Sequence, residues 1–381
     1  MENKFRFNLF DKAIKTVGSQ KKLIDFINKK SKKYNIRRNH SRLNLYSWIK
    51  GKKINRGKIK KINVPLWILI ECSKLISKSE KVNNKIMKSI EKNIDYYTVW
   101  GNANPITRPK LPIYLTPELI SIIFNFLGDG HIGRKQVCSS YRQMNKEGLN
   151  NFLSRLKNIF GEFDYSKGEF KHGKLNVPKV ITEFYKYYFN LPDTSTFKAY
   201  IPSNIKKLDK KNLTAGLISF IVDEGHIGEV ITIYSKNERL LKDIREIAIK
   251  CDYECNIIRE KYRYGVFDSY RFHISTKSYL KMHNDISKLE KEFPLCNLAQ
   301  KRKKFNILIK RKQRKNRQDK EGVTKKKILA LLKKRPRIID ELVKILNIGN
   351  SGIREHLGDL EDKKKVRKLR RDKRKIVWSI K

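Results

Sequence analysis

The sequence lacks any apolar run near the ~18 residues that a membrane-spanning helix needs; its longest, residues 119–127 and 64–72, are half that length. An integral helical membrane protein is therefore not expected. Acidic residues are scarce: 38 Asp and Glu stand against 88 Lys and Arg, a formal net charge of +50, which excludes an ordinary acidic cytosolic enzyme. Cysteine is sparse and odd in number. Cys72, Cys138, Cys251, Cys255 and Cys296 are scattered without a pair of CxxC knuckles, so reduced, metal-free thiols are expected in preference to a zinc site. The first 15 residues alternate charges with aromatics and hold neither an uninterrupted apolar core nor a small-residue cleavage site, so export is not expected and the cytoplasm is the expected location. What is present suffices for real cores: 39% of the 381 residues are hydrophobic, in a length that corresponds to roughly two or three domains.

The positive charge is uneven. Residues 1–110 carry 28 basic and 7 acidic groups (+21), residues 111–300 carry 29 and 22 (+7), and residues 301–381 carry 31 and 9 (+22). A genome-wide bias toward Lys, Ile and Asn would raise the middle equally, and it does not. Clustered Lys and Arg displace condensed counterions from a nucleic-acid backbone, which makes nucleic acid the leading partner. An anionic membrane surface is the competing partner, but the basic stretches interleave with core-like apolar positions and form no single amphipathic face.

The middle contains a repeat. Leu127-Gly-Asp-Gly-His-Ile-Gly133 and Val222-Asp-Glu-Gly-His-Ile-Gly228 place Asp129 and Glu224 95 positions apart, each at the end of an apolar run. Thr116-Pro117-Glu118 signals one helix start, and Asn212 or Thr214 the other. Strand-like runs follow at residues 136–142 and 230–234, then helical patterns opening at Asn145 and Asn237. Further strand patterns lie at residues 169–177, 255–266 and 270–275, each leading into a helical stretch. Both halves predict helix, two strands, helix, two strands, helix.

Over residues 115–305 these features resemble the LAGLIDADG homing endonucleases in their single-chain, two-repeat form. In that motif an apolar helix ends in acidic-x-acidic-Gly and the last acidic residue binds metal. Asp129 and Glu224 hold that position in Ile122-Ile-Phe-Asn-Phe-Leu-Gly-Asp-Gly130 and Leu217-Ile-Ser-Phe-Ile-Val-Asp-Glu-Gly225. The resemblance implies an α+β fold: a pseudo-two-fold duplicated αββαββα core with two saddle-like antiparallel sheets. It also implies a monomeric, site-specific double-stranded DNA endonuclease using two or three Mg2+ ions near Asp129 and Glu224, with backbone carbonyls of Gly128 and Asp223 as further ligands. Phosphodiester hydrolysis needs an activated water and a stabilised leaving oxygen, and carboxylate-held divalent ions supply both. Lys179 and Lys277 are the candidate basic groups for the phosphorane, with Lys174 and Arg271 next. Positive φ is expected at Gly130 and Gly225. His131 and His226, matched in the two copies, are ligands or bases in one reading and packing or phosphate-contact residues in the other. The strands imply a major-groove surface that includes Ser140, Arg142, Thr232, Tyr234, Arg259, Lys261 and Arg263. The motif departs from the family in two places: Phe124 stands where a small residue lets the helices approach, with Ser219 opposite, and Glu224 replaces Asp.

The flanks predict accessory modules. Three short helical patterns between Ser19 and Leu75 resemble a repressor-type helix-turn-helix with residues 42–50 as recognition helix, presenting Arg42, Trp48 and Lys50. Trp48 is equally readable as core, and a generic basic helical bundle is the alternative. Residues 301–317 hold ten basic residues in seventeen and read as a linker or a basic helix. Helical spacing at 324–333, 338–346 and 351–362, followed by a hairpin at 365–381, resembles a winged helix whose third helix carries Arg354 and whose wing carries Arg370 and Arg371. The expected domains are 1–110, 111–208, 209–300, a linker 301–322, and 323–381. Two other functions fit the same resemblance: a non-cleaving transcription regulator on a LAGLIDADG core, and an RNA-splicing maturase gripping structured RNA.

Overall fold

A computed structural model describes residues 3–34, 39–53, 59–60, 63–77, 79–99, 104–132, 139–192, 194–315, 322–372 and 375–381. The chain is α+β with small antiparallel sheets and divides into two compact units, Met1–Asn306 and Ile307–Lys381.

The first unit begins with helices α1 (Asn3–Val17), α2 (Gln20–Ser31), α3 (Arg42–Lys50), α4 (Leu66–Ile76) and α5 (Glu80–Lys92). Ser19, Ser41 and Ser79 cap α2, α3 and α5, each hydroxyl accepting an otherwise orphaned backbone N–H, and Asn44 completes a capping box with Ser41. Leu9, Phe10, Leu23, Ile27, Leu45, Trp48, Ile68 and Cys72 bury one shared core. The three expected helices are joined by α1 and α5. The apolar stripe of α1 is interrupted by charges at its edges, which is why its sequence reads as mere alternation. Short pairs β1 (Lys52–Lys53) with β2 (Ile59–Lys60) and β3 (Tyr96–Tyr97) with β4 (Ile106–Thr107) follow.

Two buried helices organise the rest of this unit. In α6 (Pro117–Leu127) every residue from Leu119 onward is buried; Thr116 caps it by accepting from the Leu119 N–H, and Pro117 occupies its first turn. After it come β5 (Gly130–His131), β6 (Ser139–Arg142), α7 (Lys146–Phe160), α8 (Lys167–Lys171), β7 (Lys174–Val177), α9 (Lys179–Phe189) and α10 (Ser203–Lys206). In α11 (Lys210–Glu224) the residues from Asn212 to Val222 are buried, and the cap is Asp209, earlier than the expected Asn212 or Thr214. Then follow β8 (Gly225–Ile227), β9 (Ile231–Ser235), α12 (Glu238–Lys250), β10 (Arg259–Arg263), β11 (Val266–Ile274), α13 (Tyr279–Glu292) and α14 (Arg302–Lys315). Helices that are apolar all round require cover on every side, and α6 and α11 obtain it by packing on each other and under the two sheets.

The sheets run β5-β6-β7 and β10-β11-β9-β8, all antiparallel. The second has the two-strand, two-strand order read from the sequence; the first has three strands. Where residues 169–177 predict a strand, Ser166 caps α8, Gly173 turns the chain at φ +79°, and only Lys174–Val177 extends. Glu169 is recruited to hold that turn by binding Lys174 (2.7 Å) and Asn176. Residues 136–138 of the first strand reading, and with them Cys138 and Gly133, lie outside the described residues.

The second unit holds α15 (Val323–Lys334), β12 (Arg337–Ile338), α16 (Ile339–Leu346), α17 (Asn350–Asp362), β13 (Val366–Asp372) and β14 (Lys375–Ile380). Its sheet order is β12-β14-β13, over a core of Ile328, Leu332, Leu342, Ile353, Leu357, Leu360, Val366 and Trp378. Strand β12, two residues long, adds an edge to the expected hairpin. Residues 302–315 of the expected linker are helical, and residues 316–321 lie outside the described residues.

Candidate active site and nucleic-acid interface

The C-terminal ends of α6 and α11 meet, and the residues that follow form an acidic corner. The helices approach through a large-small contact: Phe124 is fully buried, and a Cβ placed on Gly216 would fall 2.3 Å from its ring. The bulky residue at the third motif position thus finds its space on the partner helix. At the corner, a Cβ on Gly128 would lie 2.9 Å from Cβ of Asp223. Gly130 and Gly225 do not adopt the expected positive φ; Gly225 has φ −88° and ψ 150°. Glycine is needed there for proximity. A Cβ at Gly130 would meet Cα of Phe126 at 2.4 Å, and one at Gly225 would meet the carbonyl oxygen of Ile221 at 2.6 Å, because each strand starts close against the last turn of its helix, after two residues in the first copy and directly in the second.

Three carboxylates converge. Asp223 accepts from the Tyr141 hydroxyl (2.6 Å) at Oδ1 and from the Asn125 amide (2.8 Å) at Oδ2. Gln143 Nε2 lies 3.3 Å from both Asp129 Oδ2 and Asp223 Oδ1, bridging them. Burial, reinforced by the Asp129 charge, raises the Asp223 pKa, and burial raises that of Asp129. Burial and the Asp129 charge push Glu224 up to about 7. Beneath the corner, the buried Arg155 guanidinium donates to Ser121, Ser219 (3.0 Å) and Asn125 Oδ1 (2.9 Å), tying α6, α7 and α11 together and orienting the amide that holds Asp223. Lys301 donates from Nζ to the carbonyl oxygens of Ile221 (2.7 Å) and Gly225 (2.5 Å). Sequence reasoning missed Asn125, Tyr141, Gln143, Arg155 and Lys301. A polar Asn inside an apolar helix and an Arg on the buried stripe of α7 were the available signals; Lys301 had none among 88 basic residues.

The sheet register relates both acidic residues to basic or aromatic neighbours in the same way. Arg142 donates its N–H to the Asp129 carbonyl (3.1 Å) and pairs with Lys174 on β7. One step beyond Gly225–Ile233 lies Tyr234, which pairs with Arg271 on β11. Lys174 and Arg271 therefore stand about 10 Å from the acidic residues, two strand spacings away. Lys179 and Lys277 do not: they follow the opposite ends of β7 and β11, five and six residues on, and Lys277 faces Glu254 at 3.8 Å. Ser140 and Thr232 are buried, and Thr232 bonds the ring of His273, its partner on the neighbouring strand, at 2.8 Å. His131 and His226 are exposed.

The oxygen-only donor set suits Mg2+. Among the described residues no three His, Cys, Asp or Glu side chains are disposed around one ion position, so an ion there would take one or two carboxylates and complete its shell with water and phosphate. Asp223 has its carboxyl oxygens engaged by three donors, so Asp129 and Glu224 are the carboxylates of the corner that could take an ion.

Of the other predicted contacts, Arg142, Arg259 and Arg263 are exposed and Tyr234 is half-buried, with the Lys261 ammonium 4.9 Å above its ring. Tyr264, 94% exposed at the tip of the β10–β11 hairpin, extends this basic and aromatic edge. Arg42 and Lys50 are exposed on α3, but Trp48 is core: 4% exposed, it stacks on Phe10 and meets His40 edge-on. The outward face of α3 instead presents Leu43 and Tyr46. Arg354 is exposed on α17. Arg370 and Arg371 lie in β13, their side chains outside the described residues. No helix among the described residues is long and apolar enough to cross a membrane. No family model matches the chain, and no curated protein matches it.

Proposed function

We propose that the chain is a LAGLIDADG-type, Mg2+-dependent endonuclease that cuts double-stranded DNA at a specific site. The observation that carries this reading is the acidic corner itself: two adjacent buried helices lead into Asp129, two residues past the end of α6, and Glu224, the last residue of α11, and each acidic residue is followed by a strand with the same register, Asp129 to Arg142 to Lys174 and Glu224 to Tyr234 to Arg271. That correspondence supports a duplicated core with a pseudo-two-fold axis between α6 and α11. One acidic group then serves each DNA strand.

A divalent ion bound at the corner supplies water activation and stabilisation of the leaving oxygen. The chain's own groups do the rest. Asp129 and Glu224 hold oxygen ligands in place; Asp223, fixed by Tyr141, Asn125 and Gln143, spaces the two helix ends; Lys174 and Arg271 are the cations at matching register positions, two strands out from each acidic residue. Arg142, Arg259, Arg263 and the hairpin tip grip the backbone and bases. The flanking units, with α3 and α17 as helices entering the major groove and the β13–β14 hairpin as a wing, add affinity and fix orientation.

The second reading is a regulator that binds DNA without cutting it. It is favoured by Lys301, a cation of the chain's own already standing at the carbonyl end of α11. Incubation with genomic and randomised duplexes, with Mg2+ or chelator, separates the two: new ends at one sequence, lost in Asp129→Asn and Glu224→Gln, establish cleavage, and sequence-specific retention without new ends establishes the regulator.

A further inference from the structure

Lys301 is one residue in a basic stretch, and its ammonium turns inward. It is partly buried, donates to the carbonyl oxygens of Ile221 and Gly225, and lies 3.5 Å from that of Asp223. These carbonyls lie at and just past the C-terminal end of α11, where the helix dipole is negative and a cation is favoured. The three corner carboxylates act on Lys301 together and oppose the effect of burial on its ammonium, but among the described residues none of them forms a direct ion pair with it. The ammonium therefore spends its hydrogen bonds on backbone oxygens and its charge on Asp129, Asp223 and Glu224. One of those backbone oxygens belongs to Asp223, whose carbonyl is a ligand of the divalent ion in the reading above.

We propose that Lys301 is a positioning residue that acts as the resident cation of the acidic corner, holding the carbonyl end of α11 and competing with a divalent ion for the same oxygen-lined space. It keeps three half-buried carboxylates together when no ion is bound, and it weakens ion binding by one unit of positive charge at close range. The competition rests on the metal-dependent reading above, but the resident cation is equally what a non-cleaving DNA binder would retain.

The test is calorimetric titration of the full-length protein with Ca2+, an oxygen-seeking probe of the corner. Lys301→Met removes the charge and the donors; Lys301→Gln removes the charge and keeps an amide donor for the carbonyls, so it carries the test if the Met variant fails to fold. Both variants are expected to bind Ca2+ at least tenfold more tightly than the native chain, about 1.4 kcal/mol. Adding Asp129→Asn should abolish the gain, and Lys301→Arg should not show it. A residue that merely caps α11 would lower the melting temperature of Lys301→Met and leave Ca2+ affinity unchanged, and that result overturns the proposal. Binding by the variants with none by the native chain supports the proposal while contradicting metal-dependent cleavage by the native protein. Absence of binding in every variant overturns it as well, independently of the cleavage assay.

Discussion

Replacing Gly216 by Ala tests the helix contact on which the acidic corner depends. The new Cβ would stand 2.3, 2.4 and 2.6 Å from Cε2, Cδ2 and Cζ of Phe124. Carbon atoms in contact prefer about 3.5–4.0 Å, so roughly 1 Å of separation must be found. Phe124 is fully buried and cannot swing to solvent, so α6 and α11 must part or the ring must leave its rotamer. Overpacking of this kind costs about 1–3 kcal/mol, against about 1 kcal/mol gained because Ala is the better helix former. A net loss of up to about 2 kcal/mol is expected in urea denaturation of the first unit, in place of the gain that an unobstructed helix would show. Shortening the ring should relieve it: in Gly216→Ala with Phe124→Leu, the loss should be smaller than the sum of the two single losses by about 1–2 kcal/mol. Movement of the helix ends should also lower cleavage or binding, since Asp129 and Glu224 follow the contact by five and eight residues, about one and two helical turns. Stabilisation by Gly216→Ala of the size expected for an unobstructed helix, or strict additivity with Phe124→Leu, would refute the packing argument.

The raised Glu224 pKa has a signed consequence. Its folded value of about 7 exceeds the ordinary 4.5, so its contribution is fully present below pH 4.5 and is lost as pH rises through 7. Glu224→Gln should therefore become more stable than the native protein by on the order of 2–3 kcal/mol at pH 8 and show no advantage near pH 4, measured by denaturation at both pH values. Trp48→Ala should destabilise the N-terminal helices by about 3–5 kcal/mol, whereas Lys50→Ala should leave stability within about 0.5 kcal/mol and reduce the salt slope of DNA binding by about 1; the opposite pattern would return Trp48 to the interface. Lys174→Ala and Arg271→Ala should each slow single-turnover cleavage by about 100-fold or more, while Lys179→Ala and Lys277→Ala change it by less than about threefold; equal effects would contradict the register argument.

Much of the architecture was legible because it is written in local patterns. Thr116-Pro117 and the unbroken apolar run mark α6, and the Gly-His-Ile-Gly repeat marks where both buried helices end. The helical flanks were readable from apolar spacing, with α1 hidden by the charges that border its stripe. What escaped was set by contacts between distant residues. Phe124 looks like an obstacle until Gly216, 92 positions on, is seen against its ring. Strand periodicity at residues 169–177 lost to a capped turn held by Glu169. The glycines after the acidic residues looked like positive-φ caps, but the required feature is the closeness of the preceding turn, which spacing does not encode. Lys179 and Lys277 were chosen by position along the chain, whereas nearness to the corner follows strand register. Lys301 reaches the corner from outside both repeats, and no local pattern distinguishes it from its basic neighbours.

The most direct measurement of the central claim is sequencing of newly made DNA ends after incubation of the full-length protein with fragmented genomic and randomised duplexes, with Mg2+ or chelator, alongside Asp129→Asn and Glu224→Gln. The account predicts recurrent ends at one sequence that require Mg2+ and disappear in both variants. Specific retention of a sequence without new ends under any condition, or cleavage that survives both substitutions, would contradict it.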